Sequence, residues 1–132
     1  MQTRHRRSNL VVLAASLLTF FAIPHLIDDF LYDVPQEFGL TNQSAQVLGG
    51  VFSVVLISSA GLAARDSRVG YYACLFLGLF LAAAGILKHG PGMARPGPYW
   101  SGWFSEAFVY GVVGSGVVLA AVSSSALRRH ER

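Results

Sequence analysis

An all-α chain, folded as an integral membrane four-helix antiparallel bundle, is what the sequence predicts, and three observations predict it. The composition is 53% hydrophobic and only 13% charged, whereas soluble domains carry about a quarter charged residues. The charges gather at a few points and leave four uncharged runs: Asn9 to Ile27, Phe38 to Ala64, Val69 to Leu87 and Ala107 to Leu127. Each has the roughly 20 residues that a helix needs to cross a hydrocarbon core of about 30 Å. None shows the alternating pattern of barrel strands. With 132 residues there is room for a single membrane domain, residues 1–132, with helices at about 9–32, 41–64, 69–88 and 99–124.

The first helix opens after Arg4-His5-Arg6-Arg7. This start looks like a secretory signal, but no small-residue cleavage site follows the apolar run, so an uncleaved first span is expected. Pro24 lies inside it, frees a backbone carbonyl one turn earlier and is expected to bend its outer third. The turn-rich segment Asp33-Val34-Pro35-Gln36-Glu37-Phe38-Gly39 then makes spans one and two antiparallel neighbours.

Thr41 or Asn42 caps the second span, in which Gly49, Gly50, Ser53 and Gly61 leave space for a close neighbour. The third span is expected to end at Lys88-His89-Gly90-Pro91, stopped by glycine and proline. A second loop, residues 89–98, leads to Tyr99, Trp100 and Trp103, an aromatic belt at the start of the fourth span. Ala107, Gly111 and Ser115 recur there every fourth residue, a small-residue stripe suited to tight packing.

Lysine and arginine set the orientation. Arg4, Arg6, Arg7, Arg65, Arg68, Arg128, Arg129 and Arg132 fall on one side, while Lys88 and Arg95 fall on the other with Asp28, Asp29, Asp33, Glu37 and Glu106. The expected location is therefore the cell membrane, inner or plasma, multi-pass, with both termini cytoplasmic and the loops 33–39 and 89–98 outside. The net charge of +3 does not imply nucleic-acid binding, because the arginines border spans without the groove or aromatic pattern such binding uses. They anchor the chain to membrane lipid instead. The single cysteine, Cys74, lies within the third span, so neither an intramolecular disulfide nor paired-thiol chemistry is available.

Function, if it resides in this chain, is expected among ionisable groups at membrane depth, where each costs roughly 2.5–3.5 kcal/mol to insert. His25, Asp28 and Asp29 stand three and four residues apart and share a helical face. Glu106 lies seven residues in from Tyr99, roughly 10 Å at about 1.5 Å per residue, and Lys88 and His89 close the third span. The candidate binding residues are His25, Asp28, Asp29, Lys88, His89, Trp103 and Glu106; the candidate acid-base residues are His25, Asp29 and Glu106.

Three readings of these groups stay open. One is a zinc or iron site built from His25, Asp28 or Asp29, His89 and Glu106, although no HExxH pair fixes its geometry. Another is an outer polar pocket for a lipophilic or quinone-like molecule. The third is a purely structural network in which Lys88 neutralises Glu106 or Asp29. Serines 53, 58, 59 and 115 are expected to bond their own helix backbones. No cofactor motif is present.

The order of these features resembles the DoxX-like group of small four-helix membrane proteins. The likeness rests on a polar cluster ending span one, a glycine-bearing span two, the turn Ala64-Arg65-Asp66-Ser67-Arg68 and the terminal His89. Pro24-His25-Leu26-Ile27-Asp28-Asp29 stands where that group has a glycine-x-x-lysine ending. The resemblance implies a membrane-embedded accessory role, sometimes with redox complexes or quinone, and the expected partner is a larger membrane complex or a second copy of this chain. A fainter likeness, to the sterol-isomerase type of four-helix fold, implies the alternative: a membrane enzyme, isomerase- or oxidoreductase-like, acting on a lipophilic substrate.

Overall fold

The computed structural model describes residues 2–96 and 99–130, with the side chains of 7–96 and 99–129. Arg132, the side chains of Arg4 and Arg6, and the Gly97-Pro98 part of the second loop lie outside the described residues. The helices are α1 (Gln2–Leu31), the single turn α2 (Val34–Glu37), α3 (Asn42–Ala64), α4 (Arg68–Met93) and α5 (Trp103–His130). Four of them, α1, α3, α4 and α5, are long and apolar enough to cross a membrane.

These four pack in cyclic order. The closest pair is α4 with α5, followed by α1 with α5, and α3 leans on both α4 and α1. Consecutive helices run antiparallel: Gly78 meets Gly116 and Ala120 while Gly85 meets Val113, and Gly111 meets Phe21 while Asp28 bonds Ser105. The core of the bundle is built from Val11, Leu18, Leu56, Tyr71, Cys74 and Leu119, all almost wholly enclosed. Large apolar side chains also cover the outside, among them Leu13, Phe20, Val54, Phe76 and Leu87. In water such a continuous apolar coat would drive association.

Local chemistry explains where the elements start and stop. Thr41 caps α3, its side-chain oxygen accepting from the Ser44 N–H at 3.1 Å. The α3–α4 turn passes through Asp66 at φ 58°, a left-handed position that aspartate tolerates better than most residues, and the Tyr71 hydroxyl donates to its carboxyl at 2.6 Å. The serine expectation holds for Ser53, Ser59 and Ser115, which donate to Gly49, Val55 and Gly111 carbonyls.

Three local expectations are corrected. Helix α4 does not stop at Lys88–Pro91 but continues to Met93 with Pro91 inside it, because the extra turn is held by Tyr99, packed against Gly92 and bonded to His89. The fourth long helix begins at Trp103 rather than Tyr99, after a tight turn closed by Gly102 N–H to Tyr99 O. Along α3 the expected close approach is absent at Gly50 and Gly61, where a β-carbon would meet none of the described residues within 4 Å, while Gly49 faces Phe30 and Leu26 of α1 at ordinary contact distance. Close approach is found where Gly78 and Gly116 bring α4 and α5 backbone to backbone, and where Gly111 makes room for Phe21.

Candidate functional site

The last turns of α1 carry the site, and helical periodicity decides which way each group faces. His25 and Asp29, one turn apart, look toward α3 and α4, with His25 Nε2 3.7 Å from Asp29 Oδ2. Asp28, rotated by about 100° from Asp29, faces α5. There the Ser101 hydroxyl donates to its Oδ1 at 2.8 Å and the Ser105 hydroxyl donates to Oδ2. The three residues expected on one face thus divide between two neighbours.

His89, near the end of α4, completes the first group. Its Nε2 lies 3.9 Å from Asp29 Oδ1, and its ring meets that of His25 edge to face with centroids 4.6 Å apart. On its other side Nδ1 pairs with the Tyr99 hydroxyl at 2.5 Å. Trp100 crosses the His89 ring at right angles and stacks on Tyr32. Aromatic rings therefore roof the imidazole. Burial, followed by the nearby carboxylates Asp29, Asp28 and Glu37, holds the Tyr99 phenol up at about 12, so it stays protonated through the physiological range.

Beside this group is a cavity of about 290 Å³ between α1, α3, α4 and the α2 segment. Phe30, Phe38, Leu48, Phe52 and Leu81 form much of its wall, and His25 and Asp29 are the polar residues among those lining it. This is the pattern of a small-molecule site: apolar walls with a few fixed polar groups. At its rim Lys88 pairs with Glu37 and lies over the Phe38 ring, 5.5 Å from its centroid.

Among the expected site residues, the structure brings together His25, Asp29 and His89, with Asp28 adjacent but turned to α5. The structural reading in which Lys88 neutralises Glu106 or Asp29 is corrected. Lys88 reaches Glu37 instead, because α2 carries that carboxylate to the end of α4. Glu106 is half-buried one residue beyond Ser105, and among the described residues no hydrogen bond or ion pair ties its side chain to the cluster. Trp103 is 70% exposed and stacks on Phe104. Neither Trp103 nor Glu106 lines the cavity.

Sequence reasoning missed Glu37 as the partner of Lys88, Tyr99 as the partner of His89, and Ser101 and Ser105 as the partners of Asp28. The serine pair had a signal, two hydroxyls four residues apart at the start of an apolar run. Tyr99 looked like any interfacial aromatic. No protein-family model, curated protein or solved structure matches this chain.

Proposed function

We propose that the chain is a multi-pass protein of the cell membrane that holds a lipophilic molecule in the cavity, with the molecule's polar head against His25 and Asp29. The observation that carries this reading is the cavity itself: apolar walls with one imidazole and one carboxyl group as the polar lining. Both have a buried atom without a hydrogen-bond partner, His25 Nδ1 and Asp29 Oδ1, and a buried polar atom left bare costs about 1–3 kcal/mol. A head group that both donates and accepts would satisfy them. The enzyme form of the same reading places acid-base chemistry on His25 and Asp29 alone, because Glu106 does not reach the cavity.

Gly49 offers a clean test. A β-carbon there makes only ordinary contacts, 3.8 Å from Phe30 and 3.9 Å from Leu26, so a leucine extends into the cavity without opening the bundle. Native mass spectrometry and lipid extraction of protein purified in mild detergent should find a bound lipophile in the parent and at least about ten-fold less in Gly49→Leu. An empty parent protein, or equal retention in a well-folded Gly49→Leu, refutes the reading.

Orientation follows the arginine distribution, with both termini cytoplasmic and α2 outside. Cysteines placed at Gln36 and Ser67 report on it, since native Cys74 is buried. An impermeant thiol reagent applied to intact cells should label Gln36→Cys and spare Ser67→Cys; the opposite result reverses the topology.

The accessory reading, docking to a larger membrane complex as the DoxX-like resemblance implies, draws support from α3. Its outer face carries Gly50 and Gly61, and none of the described residues lies within 4 Å of a β-carbon at either. The stripe on α5 does not serve, because Gly111 holds Phe21 and Ser115 is buried. Crosslinking in native membranes from position 50 or 61 should capture one stoichiometric protein partner; capture of lipid alone removes this reading.

A further inference from the structure

We propose that His25, Asp29 and His89 bind a single divalent transition-metal ion of the zinc and ferrous-iron class, at one end of the cavity. The three side chains offer ligand atoms that all lie within 4.8 Å of one another. They face each other at 3.7 Å and 3.9 Å, beyond hydrogen-bond length, so they converge without satisfying one another. Two ligand atoms held about 2.0–2.2 Å from a tetrahedral zinc are about 3.4 Å apart. The triad is therefore an expanded version of that arrangement, which side-chain rotation contracts onto an ion.

A second observation points to a ligand independently of the clustering. Asp29 Oδ1, which faces His89 Nε2 at 3.9 Å, is buried with no hydrogen-bond partner, and His25, only 8% exposed, turns Nε2 toward the other Asp29 oxygen at 3.7 Å without bonding it. At membrane depth bare polar atoms of this kind are expensive, and a cation shared by two imidazoles and a carboxylate removes much of that cost. The support around the triad is that of a metal site as well. With the ion on His89 Nε2, the Nδ1–H donates to the Tyr99 oxygen, the bond to an outer partner that fixes ring orientation in metal-binding histidines. Gly92 makes room for Tyr99, since a β-carbon there would lie 2.7 Å from its ring.

Asp28 is outside the set because its two carboxyl oxygens are bonded to Ser101 and Ser105. Two imidazoles and one carboxylate leave at least one coordination position free. Since His25 and Asp29 line the cavity and His89 does not, that position opens toward the cavity. The metal site stands whether or not the cavity takes a lipophile.

The experiment uses the full chain, untagged and in mild detergent, with His5→Gln and His130→Gln to remove the other two histidines. Zn²⁺ is titrated against a competing chelator, Co²⁺ absorption reports coordination geometry, and labelling of Cys74 reports folding. We expect one Zn²⁺ per chain and a low-coordinate Co²⁺ spectrum. His25→Gln, Asp29→Asn and His89→Gln should each weaken zinc by at least about 100-fold, and Tyr99→Phe by about 10-fold. Gly49→Leu should keep the metal while losing any lipophile, which separates this site from the cavity reading. Absence of bound Zn²⁺ and of a Co²⁺ spectrum in the parent overturns the proposal even if a ligand variant fails to fold. So does undiminished zinc binding in folded His25→Gln or His89→Gln.

Discussion

Gly78→Leu is expected to force α4 away from α5 and to lower the midpoint of thermal unfolding in detergent by about 10 °C or more. A β-carbon at Gly78 would come within 2.6 Å of the Gly116 carbonyl oxygen and 2.9 Å of the Ala120 nitrogen. Both obstacles are backbone, so no side-chain rotation relieves them. The crossing is reciprocal, because a β-carbon at Gly116 would lie 2.8 Å from the Gly78 carbonyl. Since α4 and α5 are the most intimate pair in the bundle, their separation also opens the core around Leu77 and Leu119.

Cys74 supplies the readout. It is the single cysteine in the chain and is fully enclosed, so its reaction with a thiol-specific dye during heating follows opening of the bundle. Gly50→Leu is the matched control: a β-carbon there would meet none of the described residues within 4 Å, and the same substitution should shift the midpoint by no more than about 2 °C. Equal behaviour of the two variants would mean that α4 and α5 are not in contact at Gly78.

The same glycines show what could and could not be seen in the sequence. Helix number and approximate extent were legible because uncharged run length is a strong signal, and the cap at Thr41 followed from residue type. Glycine alone does not say which neighbour it admits. Gly49, Gly50 and Gly61 look as suitable as Gly78, Gly111 and Gly116, and only the cyclic order of helices separates them. The site was partly legible for a related reason. The spacing from His25 to Asp29 is local and helical, whereas pairing of His89 with Tyr99 depends on α4 persisting past Pro91. Pairing of Lys88 with Glu37 depends on the one-turn helix inside what looked like a loop. Long-range partners of this kind leave no periodicity to read.

Asp28 separates structural from functional roles within the polar cluster, and Asp28→Ala is expected to destabilise the protein by about 2–4 kcal/mol. Its carboxyl group accepts from Ser101 and Ser105, and Ser105 Oγ also accepts from the Ser101 N–H at 3.0 Å. This fastens the Tyr99–Gly102 turn to α1. The turn needs fastening, because Trp100 sits at φ 36°, a left-handed backbone that a bulky residue adopts at a cost of about 1–3 kcal/mol. With alanine at position 28, the fully buried Ser105 hydroxyl loses its acceptor, and the strained Trp100 is held by its ring contacts with Tyr32, Tyr99 and His89 without the carboxylate tie to α1. Asp28→Asn retains one carbonyl acceptor and should cost about 1 kcal/mol. Ser105→Ala combined with Asp28→Asn should cost less than the two changes summed, since the second removes a bond already broken. Thermal melts followed through Cys74, with the combined emission of Trp100 and Trp103 as a second probe of the turn, measure the cycle. Strict additivity of the two substitutions, or an Asp28→Ala variant as stable as its parent, would take Asp28 out of the structural role and return it to the candidate site.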